Sequence, residues 1–179
     1  PIAGDQITND VAVAFRTPTQ SAEEIKIKYG CALRQLAEPR AVVEVPGVDG
    51  RDARQLSLQT LAEVIEPRVV ELYEFVLNEL RRSGMEEMIA SGIVVTGGSA
   101  MMRGMVELGE EIFHMPVRLG MPRYVGGLSE VVGNPRYATG VGLVLMGKQQ
   151  VERHLQGQME SGSFGRVLEK MKSWFQGNF

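Results

Sequence analysis

The stretch Gly92-Ile93-Val94-Val95-Thr96-Gly97-Gly98-Ser99-Ala100-Met101-Met102-Arg103-Gly104 sets the tightest limit on what this chain can become. A β-branched run suits a strand, stops at Gly-Gly-Ser, and passes straight into a helical sequence. Such a unit belongs in an α/β fold. Two adjacent glycines allow the backbone to approach a ligand closely, since no Cβ intervenes. A helix begun near Ser99 offers unpaired N–H groups and the positive end of its dipole. This geometry suits a nucleotide. It equally suits a plain α/β turn, so other segments must separate the two.

The 179 residues suffice for one domain or two small, intimately joined ones, and 44% hydrophobic residues can build a core. A net charge of −3 gives no reason to expect nucleic acid. One cysteine, Cys31, excludes an internal disulfide framework, fits a reducing compartment, and reads as a small buried residue. His114 and His154 show no metal-ligand spacing, so no metal is expected. There is no Ser/His/Asp or Cys/His arrangement, and no marked carboxylate pair, so no catalytic residue is assigned. No apolar run reaches the ~18 to 20 residues that span a bilayer. Pro1 opens without an initiator Met or leader, and the chain reads as the C-terminal part of something longer.

Thr8 or Asn9 can cap a helix through Phe15, closed by Thr17-Pro18. Ser21-Ala22-Glu23-Glu24 has the form of a capping box, starting a helix from Ala22 to Tyr29 that Gly30 ends. Arg40 to Pro46 reads as a strand, and Leu56-Ser57-Leu58 as a second leading into a helix capped by Ser57. Leu58, Leu61, Ile65, Leu72, Val76 and Leu80 keep helical spacing, interrupted by Pro67. Two helices or one kinked helix both satisfy that pattern. After the Gly-Gly-Ser turn come a helix from about Ala100 to Phe113, a strand from Val117 to Gly120, and a short helix from Ser129. A last helix has Asn134 as cap and Pro135 at its first position. Residues 149–163 are polar and rich in Gly, Ser and Gln, and read as a flexible linker.

Beyond it, residues 164–179 place Phe164, Val167, Leu168, Met171, Trp174 and Phe175 on one helical stripe. Arg166, Lys170 and Lys172 lie on or beside the opposite face. An apolar stripe with basic residues opposite is the pattern of a helix lying in an anionic membrane surface. A helix docked on its own domain or in a partner groove is the alternative. Membrane binding of one such helix would be weak and would firm up when many copies act together.

Gly4 to Asp10, Ser21 to Lys26, Gln59 to Arg68, Gly92 to Gly98 and Tyr137 to Leu143, with the amphipathic tail, resemble the bacterial cell-division family FtsA, colinearly over the whole chain. The string Gln59-Thr60-Leu61-Ala62-Glu63-Val64-Ile65-Glu66-Pro67-Arg68 is the most specific of them. The resemblance implies an α/β, actin-like ATPase fold of which this is the second half. Subdomain 2A would take 1–31 and 92–148, and subdomain 2B would take 32–91. It also implies ATP, with Mg²⁺ in the full-length parent, in a cleft between two halves. By that resemblance Gly97, Gly98 and Ser99 form the adenosine loop, Met101 and Met102 pack on adenine, Glu23 and Lys26 meet base and ribose, and Gly4 lies toward the sugar and phosphates. The phosphate hairpins, of Asp-x-Gly-x-Gly/Thr type, do not occur in the chain and would precede Pro1.

The family further implies a membrane adaptor that anchors the FtsZ ring, polymerises with itself, and helps recruit later divisome proteins. It would act at the cytoplasmic face of the inner membrane, at the septum. The C-terminal peptide of FtsZ would dock on 2B, with Glu66 and Arg68 as contacts. The runner-up is another ATPase of the same superfold, a chaperone or sugar-kinase type, which has no use for such a tail. Gly97-Gly98-Ser99 is not G-x-G-x-x-G, which argues against a dinucleotide enzyme.

Overall fold

The structure, a computed structural model, describes residues 4–48, 51–89, 91–123, 126, 129–161 and 174. Two helices open the described chain, α1 (Gly4–Phe15) and α2 (Thr19–Tyr29). The first begins earlier than a cap at Thr8 or Asn9 allows. Thr8 instead lies buried within it, on one face with Ile7, Val11 and Phe15. The expected capping box at Ser21 does not form. Pro18 turns the chain with φ −56° and ψ 142°, and its carbonyl takes the Ala22 amide at 2.9 Å, so α2 starts two residues before Ser21. Proline presets φ and lacks the amide that a helix start would leave unpaired, which displaces the side-chain cap. At the other end, Gly30 has φ −58° and is not left-handed. A side chain there would collide with the Lys26 carbonyl and come within 3.2 Å of the Met102 sulfur.

Strands β1 (Val42–Val45) and β2 (Arg54–Ser57) pair antiparallel, with Val42 opposite Ser57 and Val45 opposite Arg54. Alternation puts Val43 and Val45 inside. Ser57 then caps α3 (Leu58–Arg82), its hydroxyl accepting from the Thr60 amide at 3.1 Å. That helix runs unbroken through Pro67 for 25 residues, so the one-helix alternative holds. Pro67 lies on the exposed side, where water can serve the carbonyl deprived of its amide, while Ile65 and Val69 beside it are fully buried. Burying such side chains is worth about 1.5–3 kcal/mol each, comparable to the cost of about 3 kcal/mol for an internal proline. The buried line is Leu61, Ile65, Val69, Tyr73 and Leu77, not the expected continuation through Leu72, Val76 and Leu80. Steps of four residues advance 400°, so the covered face rotates along so long a helix.

A separate parallel pair, β3 (Ile93–Val95) and β4 (Val117–Leu119), sets Ile93 opposite Val117. Between them the expected single helix is divided. A 3-10 turn at Ser99–Met101 is followed by Gly104 with φ 84°, and only then by α4 (Met105–Phe113). The division follows from a contact with residues 31–33. Cys31 bridges Arg103, the Ala32 amide donates to the Arg103 carbonyl at 2.8 Å, and a Cβ on Gly104 would stand 2.8 Å from the Leu33 nitrogen. On α4, Gly109 lets Val117 and the Tyr73 ring approach to 3.3 and 3.4 Å of where a Cβ would lie. Tyr73 donates to the Met105 carbonyl at 2.9 Å, and burial pushes its phenol up to about 12.

One hydrophobic core joins α1, α2, β1, α3, α4 and β4, running across the boundaries expected at residues 31 and 91. Short α5 (Ser129–Val132) precedes a 3-10 turn at Pro135–Tyr137, whose Arg136 amide donates to the Asn134 side chain at 3.1 Å as the cap motif requires. The compact unit of residues 1–138 ends here and a second begins at Thr139. Helix α6 (Ala138–Ser161) makes up the described part of that unit apart from Trp174. It corrects the linker reading of 149–163, which is helical as far as Ser161. Gln149, Gln150, Glu152 and Arg153 are good helix formers, and Lys148 pairs with Glu152 one turn on at 3.7 Å. Polarity there excludes a core position, not a helix.

Candidate functional site

The N-terminus of α1, one face of α2 and the Gly-Gly-Ser turn converge on a cavity of about 390 Å³. Glu23 and Lys26, one turn apart on α2, form one side, with Ile27 beside them. Gly4 and Asp5 come from α1, and Gly98, Ser99, Met101 and Met102 from the turn. Arg136 completes the lining from the 3-10 turn before α6.

Close approach makes this meeting possible. A side chain on Gly4 would collide with the Ser99 hydroxyl and stand 3.5 Å from the Lys26 ammonium. Gly97 has φ 97°, a conformation that favours glycine, although a Cβ there would meet nothing within 4 Å. Its requirement is thus conformational. Gly97 lies just outside the main cavity, in an adjoining one of about 310 Å³ shared with Gly4, Gly98 and Ser99. The turn is followed by three residues of 3-10 helix, not by the longer helix expected. So short a turn carries little macrodipole, and the cleft lacks the N-terminal field anticipated near Ser99.

Charges on the α1–α2 side are tightly organised. Lys26 is only 6% exposed, and its ammonium donates to the Gly4 carbonyl at 3.1 Å and the Thr8 hydroxyl at 2.8 Å. It also pairs with Glu23 at 2.5 Å. Three protons therefore meet three acceptors. Thr8 is within reach of both the Gly4 carbonyl and Glu23, and its one proton serves one of them at a time. Desolvation pushes the Glu23 pKa up. Hydrogen bonds from Lys26 and Thr8 and the nearby Lys26 charge overcome it, leaving Glu23 below its ordinary 4.5 and ionised at neutral pH.

Seven of the eight residues expected at the nucleotide line this one cavity, and Gly97 adjoins it. Asp5, Ile27 and Arg136 were missed. Ile27 left a trace in the sequence, as an apolar residue on the charged face of α2. Nothing in the sequence shows that Arg136 folds over Gly98, with its Cβ 3.9 Å from where a Gly98 side chain would begin. The cavity offers apolar surface from Ile27, Met101 and Met102, a fixed carboxylate and backbone polar groups. These are the makings of a binding site for a partly flat, partly polar molecule.

Glu66 and Arg68 lie elsewhere, on α3. Glu66 accepts from the Arg34 amide at 2.5 Å, and Arg34 also pairs with Glu63 at 3.3 Å. Arg68 grips Asp10 of α1 through two hydrogen bonds, of 2.5 and 3.0 Å, and bonds to Glu71. The bidentate pairing raises its pKa further, so its charge is permanent. Of the membrane stripe, Phe164, Val167, Leu168, Met171 and Phe175 lie outside the described residues, as do Arg166, Lys170 and Lys172. Trp174 is helical and 63% exposed. Among the described residues no helix is long and apolar enough to cross a membrane.

Comparison with known proteins gives this geometry a lineage. Among solved structures, MreB5 of Spiroplasma citri bound to AMPPNP superposes with a TM-score of 0.68 at 17% identity, over 87% of this chain and 46% of that one. The ADP-bound form of the same protein gives a TM-score of 0.62 over 90% of this chain and 47% of that one. These likenesses establish an actin-like fold. Cell division protein FtsA of Pseudomonas aeruginosa is 55% identical over all of this chain and 44% of its own length. The Escherichia coli K12 protein of that name is 41% identical, again over the whole chain and 45% of its own length. The chain thus spans less than half the length of these relatives. The sequence model of the family described as Cell division protein FtsA matches residues 1–142, more than three-quarters of the chain, and the chain belongs to that family.

Proposed function

We propose that this chain forms the base-and-sugar side of an ATP cleft in a protein that ties the FtsZ ring to the inner face of the cytoplasmic membrane at the septum. A role in cell division follows from the family. The finer reading is carried by the convergence of Gly4, Glu23, Lys26, Gly98, Ser99, Met101 and Met102 on one cavity from three separate segments. Its volume of about 390 Å³ suits a nucleoside, and Met101, Met102 and Ile27 can cover a flat base. The Glu23 carboxylate is an acceptor for sugar hydroxyls. The related fold of MreB5 has been seen with AMPPNP and with ADP, which favours ATP among small ligands.

Phosphates and Mg²⁺ would be held by hairpins of the Asp-x-Gly-x-Gly/Thr kind. No such sequence occurs in these 179 residues, so we assign no catalytic residue here. ATP binding on this reading controls self-assembly into filaments. The FtsZ C-terminal peptide and later divisome proteins are the partners, with 32–91 as the docking region. Glu66 and Arg68 remain the proposed peptide contacts. Their present bonds to the Arg34 amide and to Asp10 mean that a partner must exchange with internal contacts to reach them. The residue 164–179 stripe is the proposed membrane contact.

The test fills the cavity. Met101 is 47% exposed, so Met101→Trp enlarges a side chain at the rim without disturbing the core. In the intact protein, titration with a fluorescent ATP analogue is expected to show at least tenfold weaker binding by the variant, at unchanged melting temperature. Equal binding by variant and parent would place the nucleotide elsewhere.

A further inference from the structure

Four charged side chains line the cavity, and the structure has already spent two of them. Lys26 gives its three protons to Gly4, Thr8 and Glu23, and its charge balances that of the ionised Glu23 in the same cluster. Asp5 and Arg136 remain. Both are exposed, and among the described residues neither side chain has a hydrogen-bond or ion-pair partner. Without Arg136 the cavity would present a net negative charge from Asp5, which repels an anionic ligand. Arg136 is also held in place. Buried Pro135 and the Asn134 cap fix its backbone, and its Cβ lies against the bare backbone of Gly98.

We propose that Arg136 is the residue that selects an anionic ligand at this cleft, pairing through its guanidinium with a phosphate of the bound nucleotide. The inference rests on the nucleotide reading above and adds to it the source of discrimination between nucleotide and nucleoside. Apolar cover from Ile27, Met101 and Met102 acts on base and sugar alike and cannot distinguish the two. A guanidinium with five donors and a permanent charge can. Because the group is exposed, its contribution is modest and screened by salt.

The experiment measures binding of adenosine, ADP and ATP to the intact protein by calorimetry at low and high salt. Arg136→Gln is expected to weaken ADP and ATP about three- to tenfold at low salt. Adenosine should bind as before, and the salt dependence of ADP binding should flatten. Arg136→Lys, which keeps the charge but loses the planar fork of donors, should bind ADP more weakly than the parent and more tightly than Arg136→Gln. Unchanged ADP affinity in Arg136→Gln would overturn the inference and leave the nucleotide reading standing. So would an equal loss for adenosine, which would mark a stacking role, or a lysine variant as weak as the glutamine one. If the parent protein binds neither ADP nor ATP, the nucleotide reading falls and this inference falls with it.

Discussion

Glu23 is a carboxylate at the cavity wall whose ionised form is held by its own neighbours. Its pKa is held below 4.5 by Lys26 and Thr8 against the opposing cost of desolvation. A carboxyl whose pKa is lower in the folded state stabilises that state above the unfolded value and loses the contribution as pH falls through the folded one. The α1–α2 contact should therefore weaken in acid, beginning near pH 4.5 and continuing below it. Melting temperatures measured between pH 7 and 3 are expected to fall more steeply for the parent protein than for Glu23→Gln. Parallel curves would show that Glu23 is not the group responsible. Lys26 was expected at the site through the family resemblance, and it does line the cavity. That its protons are all taken internally was not readable, because Gly4 and Thr8 lie 22 and 18 positions away.

At the scale of elements, the division between the 3-10 turn and α4 is the sharpest departure from sequence periodicity. Ala100 to Phe113 carries a helical pattern, and local propensity alone would run one helix through it. Contact with residues 31–33 prevents this, and Gly104 absorbs the break at φ 84°. Gly104→Ala would place a Cβ 2.8 Å from the Leu33 nitrogen in a conformation costly for any L-residue. A loss of about 2 kcal/mol or more in urea unfolding is expected. A variant as stable as its parent would mean that the break is not enforced there. The same logic explains α3, where burial on both sides of Pro67 outweighs a local breaker. It also explains α2, where Pro18 displaces the Ser21 capping box.

Over the whole molecule, α1 connects what the sequence presents as separate regions. Its first turn supplies Gly4 to the cavity, Asp10 grips Arg68 of α3, and the Phe15 carbonyl accepts from Arg54 of β2. The same core beneath it serves both two-stranded sheets. The amphipathic pattern of 164–179 belongs to this scale too, because weak single contacts become firm only through many copies. Flotation of the intact protein with anionic liposomes is expected to be lost on Trp174→Glu. Undiminished flotation would assign the stripe to a protein contact instead.

The helix expected straight after Gly-Gly-Ser is only a 3-10 turn. The residues alone were still enough to read the strand ending at that turn, the Ser57 and Asn134 caps, the order of helices and strands through residue 120, and the family. Each is a matter of local chemistry, namely backbone freedom at glycine, side-chain capping and hydrophobic period. Seven of the eight residues that the resemblance assigned to a nucleotide do line one cavity. Tertiary structure alone decided where helices break, which face of α3 is covered, and whether a charge is free or spent. Those outcomes depend on residues tens of positions apart competing for the same space and the same protons. The Gly97-Gly98 turn was visible from the start. Arg136, poised over it, was not.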